Sequence, residues 1–295
     1  MSTRRYLVRA FAALLVSAPQ AFAQHTPVPF VVPAWAFPNI PAPNPAPKPD
    51  SIVKHHVPGS SREFTMREVS NGFNIPDWFP DSHPPAPAPV LYGTRPNGRA
   101  CGYCHLPDGQ GRPENSTLAG LPVDYIVRQV HAFRDSSRYS ASPAGKFNSM
   151  HVVAAGVPDS DVVIAARYFS ALTLHRPYHV KEVTLAPTTR MDNGFYVYDG
   201  DGTEPINGRL IEAPAEFERH ELRDPTVEYT TYVPVGSIAR GRRLVARGPN
   251  GAATMCVACH GPKLLGKEAV PPIAGRSPST PRRAAGSWER SAPTR

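Results

Sequence analysis

Two five-residue stretches constrain this chain more than anything else in it. They are Cys101-Gly102-Tyr103-Cys104-His105 and, 155 residues further on, Cys256-Val257-Ala258-Cys259-His260. Together they use all 4 cysteines of the protein. Each pair is followed at once by a histidine, an order that reads as the attachment site of a c-type haem. Thiols at i and i+3 can add to the two vinyl groups of one porphyrin, and the next imidazole then lies under the iron as proximal ligand. Other uses compete. Two disulfides are one, although partners so close in sequence staple a fold poorly. A zinc ribbon also pairs C-x-x-C knuckles, but usually about 15–20 residues apart, and zinc gives no reason for the trailing histidine. The haem reading makes Cys101, Cys104, Cys256 and Cys259 the attachment residues of two covalently bound haem c groups, with His105 and His260 on the irons.

Residues 1–23 read as a secretory signal. Arg4, Arg5 and Arg9 precede an apolar run from Ala10 to Val16, and Ala21-Phe22-Ala23 supplies a small-x-small cleavage site. The apolar run is too short to span a bilayer, so the mature chain is expected in a bacterial periplasm and not across a membrane. That agrees with the motif, because c-type haems are attached after export. The net charge of +8 raises a nucleic-acid partner, and its location argues against one. The signal holds three arginines and no acid, and residues 276–295 hold five arginines and one glutamate. The rest of the chain is nearly neutral, without a basic face interleaved with aromatics.

A proline-rich stretch, Pro27 to Pro49, excludes helix and central strand and reads as an extended arm over 24–89. Within it Phe64, Phe73, Ile75, Trp78 and Phe79 are candidates to pack onto a domain surface. Residues 90–176 read as a helical unit around the first motif. After Leu121-Pro122, apolar residues at Val123, Ile126, Val127, Val130 and Phe133 have helical spacing. A polar interval, Asp135 to Asn148, leads to Met150, and Pro158-Asp159-Ser160-Asp161 opens a second helix whose acidic first turn suits the helix dipole. Between 177 and 235 the pattern predicts an interdomain segment with short strands, one at Phe195–Tyr198 ended by a turn at Gly200-Asp201-Gly202, another at Glu228–Val233. Helical spacing resumes from Gly236, and the second unit spans 236–280, followed by a basic tail, 281–295.

The two halves align on their histidines. Leu118-Ala119-Gly120 begins thirteen residues after His105, and Ile273-Ala274-Gly275 stands at the same distance from His260. A shared spacing after a shared motif predicts two copies of one unit, each with a tight glycine turn.

On these residues the chain resembles a class I c-type cytochrome in a two-domain dihaem form, the kind that serves as a soluble electron carrier or as the cytochrome subunit of a dehydrogenase. The resemblance covers about 90–176 and 236–280. It implies a mainly α fold, with two cytochrome c-like haem domains, the proline-rich arm, and an irregular or short-strand interdomain segment. It also implies a methionine on the far side of the first iron. Met150 stands where that ligand is expected, in a loop just before the last helix, and His151 competes with it. The same spacing finds no methionine after His260, and Pro281 and Gly286 interrupt the helix expected there, so the second domain is expected to lack its distal half. The implied function is single-electron transfer between a periplasmic donor, such as a dehydrogenase, and an oxidase or another cytochrome, with no catalytic residues. The alternative is a dihaem peroxidase with an open iron position at the second site.

Overall fold

The computed structural model describes residues 49–138, 149–175, 178–192, 195–248 and 255–278. The expected signal, the proline run up to residue 48 and the 281–295 tail lie outside the described residues.

From residue 49 onward the expected arm is packed structure. β1 (Lys54–His55) pairs antiparallel with β2 (Phe64–Thr65), which leads into α1 (Met66–Val69). Thr65 caps that helix: its Oγ1 accepts from Glu68 N at 3.2 Å, and Glu68 Oε2 accepts from Thr65 N at 2.7 Å. This reciprocal box satisfies two donors that a helix start leaves unpaired. The Thr65 backbone bond and the Lys54 ammonium hold the Glu68 carboxyl down at about 2. Val57, Val69 and Trp78 bury together with Leu222 from the far side of the chain. Phe64 meets the Trp78 ring edge-on at 4.7 Å, and Trp78 Nε1 donates to Leu222 O at 2.8 Å. An aromatic-rich segment beside proline gains enough buried area here to outweigh the cost of ordering it.

α2 (Ala88–Leu91) follows the second proline block, and α3 (Cys101–His105) is the first motif itself. α4 (Val123–Arg134) and α6 (Asp159–Ala171) form where the apolar spacing places them, each entered from a proline, Pro122 and Pro158. Val90, Ala119, Leu121, Ile126, Ala165, Ala166, Phe169 and Leu172 make one core between α2, the loop after α3, α4 and α6. Arg134, in the last turn of α4, ties the helices together. It donates to Ala154 O, Val157 O and Asp159 Oδ1 at 3.0, 2.8 and 2.6 Å. Between them lies α5 (Ser149–Gly156), which corrects the sequence reading. Met150 sits in the first turn of a helix, not in a loop.

Residues 178–234 hold strands at both expected places, and more strand than the sequence reading expects. β3 (Tyr178–Val183), β6 (Ile211–Pro214) and β7 (Tyr229–Pro234) form a mixed sheet in the order β3-β7-β6, with β3 parallel and β6 antiparallel to β7. β4 (Leu185–Asp192) and β5 (Phe195–Pro205) form a long antiparallel hairpin. The turn expected at Gly200 does not end β5. Register passes from Thr189↔Tyr198 to Pro187↔Thr203, so the extra residues bulge out, Gly200 takes φ 72°, and the strand resumes. Ala186 and Tyr196 of the hairpin pack on Ile211, Ala213 and Tyr232 of the sheet. The chain therefore pairs helical motif units with a sheet of its own, and is less uniformly helical than the sequence reading expects.

α7 (Phe217–Glu221) joins β6 to β7, and α8 (Ser237–Arg247) leads towards α9 (Cys256–His260), the second motif. α8 buries no residue and carries Arg240, Arg242, Arg243 and Arg247 without an acid. Among the described residues no helix is long and apolar enough to cross a membrane.

Candidate haem-attachment sites

α3 is a single helical turn, so Cys101 and Cys104 lie on one face of it. Cys101 packs against the helical core, and burial pushes its thiol up to about 12. Burial also raises the Cys104 thiol, against the pull of Arg223, Arg112 and Arg99. All 4 cysteines are free thiols in the structure. In a haem-bearing chain the same sulfurs would be thioethers.

His105 Nδ1 lies 2.6 Å from Ser116 O. A carbonyl oxygen can only accept, so Nδ1 must carry the proton, and Nε2 is left with its lone pair. That tautomer is the one a metal takes. Burial lowers the His105 pKa, although the bond to Ser116 opposes it, so the ring is held neutral. His260 is treated the same way, with Nδ1 2.8 Å from Pro271 O. Ser116 and Pro271 are themselves one repeat length apart.

The correspondence extends through the backbone. Leu106 N donates to Gly102 O, and Gly261 N to Val257 O. Gly111 N bonds His105 O at 2.9 Å, and Gly266 N bonds His260 O at 2.9 Å. Arg112 and Asn115 exchange both their backbone bonds, as Lys267 and Val270 do. Gly109 O accepts from Leu118 N and Ala119 N, just as Leu264 O accepts from Ile273 N and Ala274 N. One loop has been built twice. Gly111 and Gly266 show why its sequence is restricted. Both have positive φ, 65° and 81°, and a Cβ would stand 2.6 Å from Asn115 O in one copy and 2.5 Å from Val270 O in the other. Only glycine fits.

These features fit a covalently held haem. Each loop offers two sulfurs on one face and an imidazole whose free nitrogen is chosen by a carbonyl. Val123, Tyr125 and Val127 of α4 are only partly buried against the core that Cys101 also joins. Around the second motif, Met255, Leu265 and Ile273 are exposed. Among the described residues no three His, Cys, Asp or Glu side chains cluster as a metal site.

Met150 lies one residue before His151, whose ring stands edge-on to Phe133 of α4 at 5.7 Å. The two candidates for the far side of the first iron thus share the start of α5. Met255 is the N-cap of α9, on the thiol side of its motif.

The two loops also touch. Arg276, just past the second glycine turn, donates to Ala119 O at 2.8 Å and to Thr117 O at 3.3 Å in the first loop. Ser277 Oγ donates to the buried Glu212 Oε1 at 2.6 Å, while Glu212 Oε2 accepts from Thr231. The end of the second loop is therefore pinned both to the first loop and to the sheet.

No family model matches the sequence, and no curated protein matches it. Solved structures similar to it include these three. The thiosulfate dehydrogenase TsdBA of Marichromatium purpuratum, as isolated, shows 23% identity and a TM-score of 0.37, over 61% of this chain and 27% of that one. Reduced recombinant cytochrome c4 from Pseudomonas stutzeri gives 18% and 0.34, over 60% and 68%. The Acidithiobacillus ferrooxidans cytochrome c4 gives 19% and 0.37, over 61% and 74%. The chain spans only about a quarter of the length of the dehydrogenase chain it resembles.

Sequence reading missed Gly111 and Gly266, although each stands six residues after its motif histidine and the shared spacing was there to find. It also missed that His220 and Arg223, neighbours in sequence, meet Arg112 and Tyr103 of the first motif region from 108 and 120 positions away. No local pattern marks them.

Proposed function

We propose that this chain is an exported dihaem c-type cytochrome that carries single electrons between protein partners, a periplasmic dehydrogenase or other donor on one side and a respiratory acceptor on the other. The observation that carries this reading is the duplicated clamp. At both motifs a backbone carbonyl fixes the imidazole tautomer, and the same hydrogen-bonded loop surrounds two sulfurs on one helical face. Haem iron held there supplies reversible one-electron chemistry. The chain's own contribution is to hold each imidazole in place, to bury the first motif, and to keep the two loops in contact through Arg276, which favours transfer between them. Met150 is the proposed sixth ligand of the first site, and Met150→Ala should leave haem attached while lowering that site's potential. The domain reading proposed is 90–176 and 236–280 as the two haem units, with 177–235 as the segment that braces the first.

The deciding experiment is a pyridine haemochrome assay with mass spectrometry, on protein exported from a host competent in cytochrome maturation. Two haems per chain are expected. A colourless chain with free or mutually oxidised thiols overturns the proposal.

A second reading, a peroxidase-type enzyme, is favoured by one observation: Cys259 is exposed whereas Cys101 and Cys104 are partly covered, so the second motif is more open than the first. Rapid reoxidation of the reduced protein by peroxide, with turnover, would select that reading over the carrier.

A further inference from the structure

The segment between the two motif units reaches into the first of them with a half-buried, positively charged wedge. α7 ends at Glu221 and is capped by Leu222, and Arg223 follows with φ 58°. A side chain other than glycine in the left-handed region is strained. The strain is held by neighbours on both sides, since Leu222 O accepts from Trp78 Nε1, and the buried Asp224 takes Arg219 Nε at 2.7 Å. That conformation aims Arg223 at Tyr103, which immediately precedes the second attachment cysteine. Its Nη1 donates to Tyr103 O at 2.6 Å and its Nε to Val69 O at 3.1 Å. The guanidinium carbon stands 3.8 Å from the centre of the Tyr103 ring, a contact in which a cation is favoured.

A second guanidinium lies close by. Arg112, on the first loop, is 8% exposed. It pairs with Glu114 at 2.9 Å and donates to His220 O at 3.2 Å, and its buried Nε has no partner. His220 is fully buried, with Nδ1 2.9 Å from the Tyr229 hydroxyl and its ring 4.2 Å from that of Phe195. Arg99 approaches the outer side of Tyr103 at 5.7 Å. Facing these three arginines are Glu114 and Glu221, and burial raises the Glu221 carboxyl towards its neutral form. Three guanidinium groups against two carboxylates leave the cluster net positive. The second loop has Lys267 at the position equivalent to Arg112, and that side chain is exposed.

We propose that Arg223, supported by Arg112, sets the reduction potential of the first site, holding it above the value that loop would have without the 177–235 segment. The inference rests on haem being attached at Cys101 and Cys104. Reduction adds one negative charge there, and fixed positive charge in a region of low dielectric favours the reduced form. Arg223 is a positioning residue in this scheme, since it acts on the site through Tyr103 and through its field.

The test is a spectroelectrochemical titration of the full-length dihaem protein with Arg223→Gln, Arg223→Lys and Arg99→Gln. Arg223→Gln should lower one of the two midpoints and leave the other unmoved. Arg223→Lys, which keeps the charge but loses the planar fork, should restore most of the shift. Arg99→Gln, at an exposed position that folding tolerates, should move the same midpoint in the same direction by less, and it keeps the test open if Arg223→Gln does not fold. Midpoints unchanged in Arg223→Gln and Arg99→Gln, or lowered equally by Gln and Lys at 223, would overturn the inference. A haemochrome assay on the same samples separates the two levels: absence of the first haem defeats the functional reading, whereas its presence with an unmoved potential defeats this inference alone.

Discussion

The two motif loops share a backbone and differ in almost everything around it. In the first, Leu106 and Ala119 are fully buried, and the glycine turn bonds onto α6 through Gly120 N and Phe169 O. In the second, Leu265 is 63% and Ile273 39% exposed. Yet the same hydrogen bonds close in both. The loop is thus a local structure, fixed by its own backbone bonds and by a glycine that no other residue can replace, and burial is a separate property added by the rest of the chain. The first unit draws its burial from α2, α4 and α6, and from Arg223, 120 positions from the Tyr103 carbonyl it meets. Among the described residues, the second is held to the rest by side-chain hydrogen bonds from Arg276 and Ser277.

The strongest way to break this comparison is to remove the sulfurs one motif at a time. Cys101→Ala with Cys104→Ala should drop the haem count by one and lower the melting temperature markedly. Cys256→Ala with Cys259→Ala should drop the count equally with a much smaller thermal cost. Equal melting losses would show that the second unit is as integrated as the first. Next in size, Phe169→Ala empties a fully buried position and should cost about 3–5 kcal/mol in denaturant unfolding, with the second site's spectrum unchanged. A smaller effect, roughly 1–3 kcal/mol from leaving the Thr117 and Ala119 carbonyls without their donor, is expected of Arg276→Ala. It should loosen the second loop more than the first, read as hydrogen exchange at Gly266 N and Gly111 N.

The smallest expected effect concerns pH. His83, with its side chain 5% exposed, pairs with Asp77 at 3.4 Å and meets the Tyr168 hydroxyl, which bonds Pro107 O behind the first loop. The Asp77 bond raises the His83 pKa. A group whose folded pKa is raised contributes stability in full below its unfolded value, about 6.5, and loses it as pH rises through the folded value. Stability should therefore decline from mildly acidic towards neutral and alkaline pH, and Asp77→Asn should flatten that decline in denaturant melts across the range. An unchanged slope would remove His83 from the account.

By itself the sequence determined what is short in range. It set the two motifs and the distance between copies, the α4 and α6 helices with their proline entries, and the matching glycine turns, because spacing, capping and backbone geometry act over a few residues. It read Met150 as lying in a loop and β5 as ending at Gly200, and it named Trp78 as a packing residue without its partner Leu222, because helix starts, bulges and packing partners depend on residues elsewhere. Only the tertiary structure decided that Arg223 meets Tyr103, that Arg112 meets His220, and that Arg276 spans the two loops. Such contacts join residues 100 or more positions apart, as Trp78 and Leu222 show at a separation of 144. They arise when the chain folds back on itself to bury apolar surface and satisfy its carbonyls, and no local pattern records which arginine will reach which carbonyl.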